Sequence, residues 1–353
     1  MARELRGVLV DPVDGARPGL LRIDDGRIAA VEPEVEDDRG LTAAPLSRLR
    51  PAAALRDELD APLLFPGFVD LQIYHYERCV EQGVTGYLAT IGTSARGVVE
   101  SFLDQLALEP ACLGAHVEGP FLNPEAAGAQ AFEHIRPYDR EELAGWLATG
   151  DVRLVTLAPE IEAGFEAIEQ ITDAGAVPAL GHTATNYYTT RAAIDRGATF
   201  ATHIWNAMSG FRARSPGAIG TLLSDERVTL GLIGDGRHLH PVTEELTFRA
   251  AGPTRIALTS DMVAPPQEQP DGKLRGGDRC GAALVQRMAT RFGLQAAAEM
   301  ASLTPARVLG LEDRGRLAVG LRADLAVLEA DFTPRETIVA GESVWTAPEP
   351  PRP

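Results

Sequence analysis

Cysteine is scarce in this chain, and the three present, Cys79, Cys112 and Cys280, show no paired spacing. That argues against a disulfide framework and points to a reducing compartment. Positive charge is short as well: 33 basic residues stand against 50 acidic ones, a formal net charge of −17. A chain this acidic lacks the electrostatic footprint of a nucleic-acid binder or of a protein that docks on an anionic membrane. A small anionic substrate is not excluded, because one local arginine can hold a phosphate. No apolar run reaches membrane-spanning length, and the start Met-Ala-Arg-Glu-Leu-Arg has no signal-type apolar core, so a cytoplasmic protein is expected. A glycine-rich dinucleotide fingerprint is missing after the first candidate barrel strand, which counts against a doubly wound open sheet.

What is present is enough for one barrel-sized domain and a smaller one: 353 residues, 45% of them apolar. The middle of the chain alternates between apolar runs and helical patterns. The candidate strands are Leu63–Ile73, Val84–Ile91, Cys112–Glu118, Val152–Ala158, Ala176–Gly181, Thr199–His203, Val228–Ile233 and Ile256–Ser260. Between them Gly97–Leu108, Asp139–Ala148, Glu162–Ala174 and Tyr187–Arg196 are amphipathic at helical period. Strand–helix alternation repeated in this way predicts an α/β fold, a (β/α)8 TIM-like barrel over 63–311.

Both ends read as short strands. Gly7–Val10 and Leu20–Ile23 are apolar, Asp24-Asp25-Gly26 is a hairpin turn, and Arg27–Val31 continues. Near the other end, Gly315–Leu328 holds two strand candidates, and Glu336–Val339, Gly341 and Val344 form a further hairpin. These predict a small β-sandwich domain assembled from 1–62 and 312–353. Residues from about Glu32 to Leu59 read as a loose connection, and 348–353 as a disordered tail.

Chemistry concentrates where apolar runs end. Glu118 closes one run, His182 and His203 close two others, and Asp261 follows a fourth. In a (β/α)8 barrel, catalytic residues come from strand ends on one face. Glu118 alone divides evenly between a metal ligand and a carboxylate satisfied by backbone amides or an arginine. A lone strand-end histidine is more often structural. Two on consecutive strands, with Glu118, make the two-histidine, one-carboxylate set that leaves a position open for water. Asp261 suits a base that takes a proton from water and returns it to the leaving group, or merely a helix cap. His238 and His240 have the spacing of a metal pair, but His238 reads better as a substrate contact. Arg214 is a candidate anion binder, although a solvated surface charge is the favoured reading of a loop arginine taken alone.

With these residues in place, the chain resembles the N-acetylglucosamine-6-phosphate deacetylases of the amidohydrolase superfamily. The matching segments are Pro66-Gly67-Phe68-Val69-Asp70, His116-Val-Glu-Gly-Pro-Phe-Leu-Asn123, Thr156-Leu-Ala-Pro-Glu160, Gly181-His-Thr-Ala-Thr185, Ala201-Thr-His-Ile-Trp-Asn-Ala-Met208, Asp235-Gly-Arg-His-Leu-His-Pro241 and Gly320-Leu-Arg-Ala-Asp-Leu-Ala-Val327. The resemblance implies that Glu118, His182 and His203 hold one divalent ion per chain, zinc first, with iron, manganese or cobalt as alternatives. It implies that Asp261 is the general acid/base and that Asn206, Ala207, Arg214 and His238 hold a sugar phosphate, the arginine reaching across a homodimer interface. Ala129, Gln130 and Gly276 fall in the corresponding substrate-side segments. The implied reaction removes the N-acetyl group of an amino sugar, N-acetylglucosamine 6-phosphate first. The rivals are a paralogue acting on another N-acyl substrate and a catalytically impaired relative.

This chain also departs from the family. The His-x-His of many relatives reads Gln72-Ile73-Tyr74, which implies one metal rather than two. The loop and long helix that follow are cut to a few residues before Gly83. The family's Gly-x-His appears as Gly128-Ala129-Gln130, the loop before Arg214 lacks its usual histidine, and the late Leu-Ala-Gly-Ser reads Leu274-Arg275-Gly276-Gly277.

Overall fold

A computed structural model of the chain describes residues 2–33, 61–263 and 274–348, with Gln267 and Glu268 described by their backbone alone. Most of the expected loose connection and 349–353 of the expected tail lie outside the described residues. The strands, in chain order, are β1 (Arg3–Asp11), β2 (Gly15–Asp24), β3 (Arg27–Pro33), β4 (Leu63–Pro66), β5 (Phe68–Ile73), β6 (Val84–Ile91), β7 (Cys112–Glu118), β8 (Val152–Leu157), β9 (Val177–Leu180), β10 (Phe200–Ala201), β11 (Thr229–Ile233), β12 (Ile256–Thr259), β13 (Gln267–Glu268), β14 (Leu274–Arg275), β15 (Leu325–Leu328), β16 (Pro334–Val339) and β17 (Glu342–Thr346). Contacts divide the chain into two units. One is Met1–Asp70, Glu77–Gly86 and Arg279–Pro353; the other is Leu71–Tyr76 and Tyr87–Asp278.

The first unit carries a seven-stranded sheet in the order β17-β16-β15-β4-β1-β2-β3. Chain reversal between β2 and β3 falls on Asp25 (φ 46°) and Gly26 (φ 71°), the pair of left-handed residues that a tight hairpin demands. Leu9, Leu21, Ile28, Leu64, Leu325 and Ile338, drawn from both halves of the sheet, share one buried apolar cluster. Of the two strands expected in 315–328, β15 alone forms. Leu317 and Ala323 still enter the cluster, but the backbone there is satisfied by loop bonds, Gly320 N–H to Ile28 O at 2.8 Å among them. A second correction concerns Leu63–Ile73, expected as one barrel strand. It breaks at Gly67: β4 pairs with β1 and β15 in the terminal sheet, and only β5 enters the barrel sheet. Gly67 allows the break because a Cβ there would lie 2.0 Å from Thr85 Oγ1.

The eight-stranded sheet runs β12-β11-β10-β9-β8-β7-β6-β5, with parallel pairing throughout its recorded registers. The barrel closes where its first and last strands meet. Asp261 N–H donates to Gln72 O at 2.8 Å, and Tyr74 N–H donates to Met262 O at 3.1 Å. Helices Arg96–Asp104, Arg140–Leu147, Gly164–Asp173, Tyr187–Ile194, Gly217–Ser224 and Pro241–Ala251 follow β6 to β11 in turn. Asp139 and Asn186 cap two of them, each side chain accepting from two backbone N–H groups. Between β5 and β6 the described residues hold no α-helix, only the 3-10 turn Cys79–Gln82. Inside the barrel, His116 hydrogen-bonds Leu71 O at 3.0 Å and Thr156 Oγ1 at 2.7 Å. Burial pushes its pKa down to about 4, so it sits in the core as a neutral ring.

Candidate active site

The second unit opens into a cavity of about 630 Å³, within the range of small-molecule sites. Its floor is built from strand ends. Glu118 is the last residue of β7, His182 lies two residues beyond β9, His203 two beyond β10, and Asp261 two beyond β12. The last three have positive φ, 49°, 30° and 48°. Non-glycine residues rarely occupy that region, and they do so where the surrounding structure holds them and function uses the geometry. Here the left-handed turn ends each strand and leaves the three side chains among the residues that line the cavity.

Three donor atoms converge. Glu118 Oε1 lies 3.1 Å from His182 Nε2 and 2.8 Å from His203 Nε2, and the two ring nitrogens are 3.1 Å apart. All three side chains are buried. His182 Nδ1–H donates to Ala126 O at 3.0 Å, which aims Nε2 at Glu118. Burial opposes the charge on Glu118, but hydrogen bonds and charge from both histidines hold its carboxyl well below the usual range. A buried anion and two imidazole nitrogens aimed at one point fit a divalent ion.

Gln72, on β5, ties this cluster to Asp261. Its amide donates to Glu118 Oε1 at 3.1 Å and to Asp261 Oδ1 at 2.9 Å. Tyr74 donates its hydroxyl to Glu118 Oε2. Burial, then the charges of Glu118 and Asp261, raise the phenol's pKa well above its ordinary value, so Tyr74 stays protonated. Neither the glutamine amide nor the phenol adds an anion to the floor.

The expected substrate-side residues divide into two groups. Ala129, Gln130, Asn206, Ala207, His238 and Gly276 all line the cavity. Arg214 does not; it is exposed on the loop before helix Gly217–Ser224. The two histidines after β11 have different surroundings. His238 Nδ1–H donates to Asp235 Oδ2 at 2.8 Å. His240 instead accepts from Val242 N–H at 3.2 Å and caps helix Pro241–Ala251. Asp235 also accepts from the Arg237 and His238 backbone, and His238 holds it below the usual carboxylate range against the effect of burial. Sequence reasoning missed Tyr74 as a site residue, and Arg237 as a cavity residue paired with Asp278 at 2.9 Å. The signal for Arg237 was its place inside the Asp235–Pro241 segment. Tyr74 carried none beyond its distance of two from Gln72.

Comparison with known proteins settles the family. The amidohydrolase family model matches residues 74–344. The chain belongs to the amidohydrolase family. N-acetylglucosamine-6-phosphate deacetylase of Bacillus subtilis (strain 168) is 31% identical over 387 residues, covering 94% of this chain and 94% of that protein. Among solved structures, N-acetylglucosamine-6-phosphate deacetylase from Thermotoga maritima aligns at a TM-score of 0.85 and 27% identity, over 98% of this chain and 100% of that one. An aspartate-to-alanine variant of the Mycobacterium smegmatis enzyme, in complex with N-acetyl-D-glucosamine-6-phosphate, aligns at 0.83 and 27%, with the same coverage. This amidohydrolase is a metal-dependent amide hydrolase. Its metal centre, on the geometry above, has one buried cluster to occupy among the described residues.

Proposed function

We propose that this amidohydrolase hydrolyses the N-acetyl group of an amino sugar phosphate, N-acetylglucosamine 6-phosphate first, to acetate and the free amine. The observation that carries the proposal is the convergence of Glu118, His182 and His203 beside a carboxylate, Asp261, coupled to them through one glutamine amide. The deacetylase relatives named above support the substrate class.

Glu118 Oε1, His182 Nε2 and His203 Nε2 would hold the ion, and zinc suits two imidazoles and one carboxylate. Bound there, a divalent ion supplies Lewis acidity toward water and the acyl oxygen. Asp261 takes the proton from the attacking water and delivers it to the amine nitrogen as the C–N bond breaks. Gln72 holds Asp261 Oδ1, so the carboxylate faces the cluster in one orientation. His238, kept in one tautomer by Asp235, presents Nε2 to the sugar phosphate, with Asn206, Ala207, Ala129, Gln130 and Gly276 forming the walls.

An exposed Arg214 outside its own chain's cavity suits a contact with the phosphate bound by a second copy, so a homodimer is part of this reading. Three buried free cysteines suit the reducing cytoplasm. Among the described residues no helix is long and apolar enough to cross a membrane.

The test is acetate release by metal-reconstituted protein from N-acetylglucosamine 6-phosphate, beside the same sugar without phosphate. Turnover that needs the phosphate supports the reading. Turnover of other N-acyl compounds alone would replace the substrate. Arg214→Ala should raise KM for the phosphorylated sugar in proportion to the dimer fraction; an unchanged KM would remove its phosphate role.

A further inference from the structure

A directional chain of hydrogen bonds ends on Glu118 and is not used by the mechanism above. Thr93 N–H donates to Gln130 Oε1 at 2.8 Å. With that oxygen engaged as acceptor, the amide nitrogen of Gln130 faces Tyr74 and donates to its hydroxyl oxygen at 3.4 Å. The hydroxyl has one proton, and Glu118 Oε2 accepts it. An ionised carboxylate only accepts, so the chain has a single polarity, from backbone to Gln130 to Tyr74 to Glu118.

The two oxygens of Glu118 therefore have different partners. Oε1 faces His182 Nε2, His203 Nε2 and the Gln72 amide, whereas Oε2 faces Tyr74. Gly92 leaves room for the arrangement, since a Cβ there would lie 2.9 Å from Gln130 Oε1 and 3.4 Å from the Tyr74 hydroxyl oxygen.

We propose that Tyr74, aimed by Gln130, is a positioning residue that holds Glu118 as a one-oxygen ligand by occupying Oε2. This rests on the reading that Glu118, His182 and His203 hold a divalent ion. A carboxylate can bind such an ion through one oxygen or both. Two-oxygen binding here would take a position that a hydrolase needs open for water. An O–H donor on Oε2 opposes that mode because it would have to give up a charge-assisted hydrogen bond.

The test is Tyr74→Phe, which keeps the ring and removes the hydroxyl, loaded with cobalt(II) in place of the native ion. The visible bands of cobalt are intense at low coordination number and weaken as ligands are added. Tyr74→Phe should lose intensity in these bands, and kcat should fall roughly 10- to 100-fold, the usual cost of losing a partner that orients a metal ligand, with KM unchanged. Gln130→Ala should shift the spectrum in the same direction. The double variant should show no more than the Tyr74→Phe spectrum, because Gln130 acts through Tyr74. A Tyr74→Phe spectrum identical to that of the unsubstituted protein, or spectral effects of the two changes that add, would overturn the proposal. The cobalt readout needs no substrate, so absence of acetate release would count against the proposed substrate and not against this role.

Discussion

In the proposed reaction, Asp261 is the residue on which the chemistry turns. Asp261→Asn keeps the size and the ability to accept from Gln72, but it cannot hold a proton taken from water. We expect acetate release to fall by about a thousandfold or more, since general acid–base catalysis contributes about 10²–10⁴-fold, while one divalent ion per chain stays bound. Metal analysis of the purified variant beside its turnover checks this; full activity would remove Asp261 from its role. Away from the site, Asp225 illustrates how charge pairs set pH behaviour. Its carboxyl is held at about 2 against an ordinary 3.8, first by the Arg227 hydrogen bond at 2.8 Å, with Arg191 at 3.4 Å also near. The folded state binds the proton less readily than the unfolded chain. The contribution is therefore present above pH about 4 and lost as pH falls toward 2. Urea unfolding of Arg227→Met against the unsubstituted protein should show a difference at neutral pH that shrinks through that window. A difference independent of pH would mean that the pair is not its source.

Strand ends carry the site, and the end of β7 is the least forgiving of them. Gly119 follows Glu118 with φ 85°, and a Cβ there would lie 2.2 Å from Thr93 Oγ1, whose hydroxyl donates to Glu118 O. Gly119→Ala should destabilise the fold by about 1–3 kcal/mol, the cost of strain and overpacking together, and should lower metal affinity by shifting Glu118. Thermal melts with and without added metal would reveal both effects. At this scale the sequence was a good guide to some features and silent on others. The barrel alternation was legible because parallel strands buried on both faces read as continuous apolar runs. Glu118, His182, His203 and Asp261 stood out because each is a polar residue at or just beyond the end of such a run. The break at Gly67 was harder to see, since apolar residues flank Pro66-Gly67 on both sides and hydrophobicity alone does not say which sheet a segment joins. The missing first helix could be read from length alone, with ten residues between β5 and β6. The chain from Thr93 through Gln130 to Tyr74 spans three loops, and no periodicity encodes where loop side chains meet.

For the whole molecule, the bound ion and the fold are linked. An ion that binds the native state alone stabilises it by mass action. Free metal at a hundredfold over its dissociation constant should raise the unfolding free energy by about 2.7 kcal/mol. A chelator should lower the melting temperature and abolish turnover, with the far-ultraviolet signal below the transition unchanged. A melting temperature indifferent to chelator would mean that no ion is held by the folded site. The order of the eight strands adds a consequence for how a working molecule comes into being. The three side chains proposed to hold the ion lie at or just beyond the ends of β7, β9 and β10, within the run β7 to β10 inside the sheet, whereas Gln72 and Asp261 belong to the ends of its two outer strands and meet only across the closing seam. On this topology, a nascent or proteolytically clipped chain with that seam open would keep Glu118, His182 and His203 within one run of strands, yet lack Asp261 beside Gln72. On the proposed roles, such a species should bind a divalent ion and show no turnover, so ring closure would be the step that completes the site.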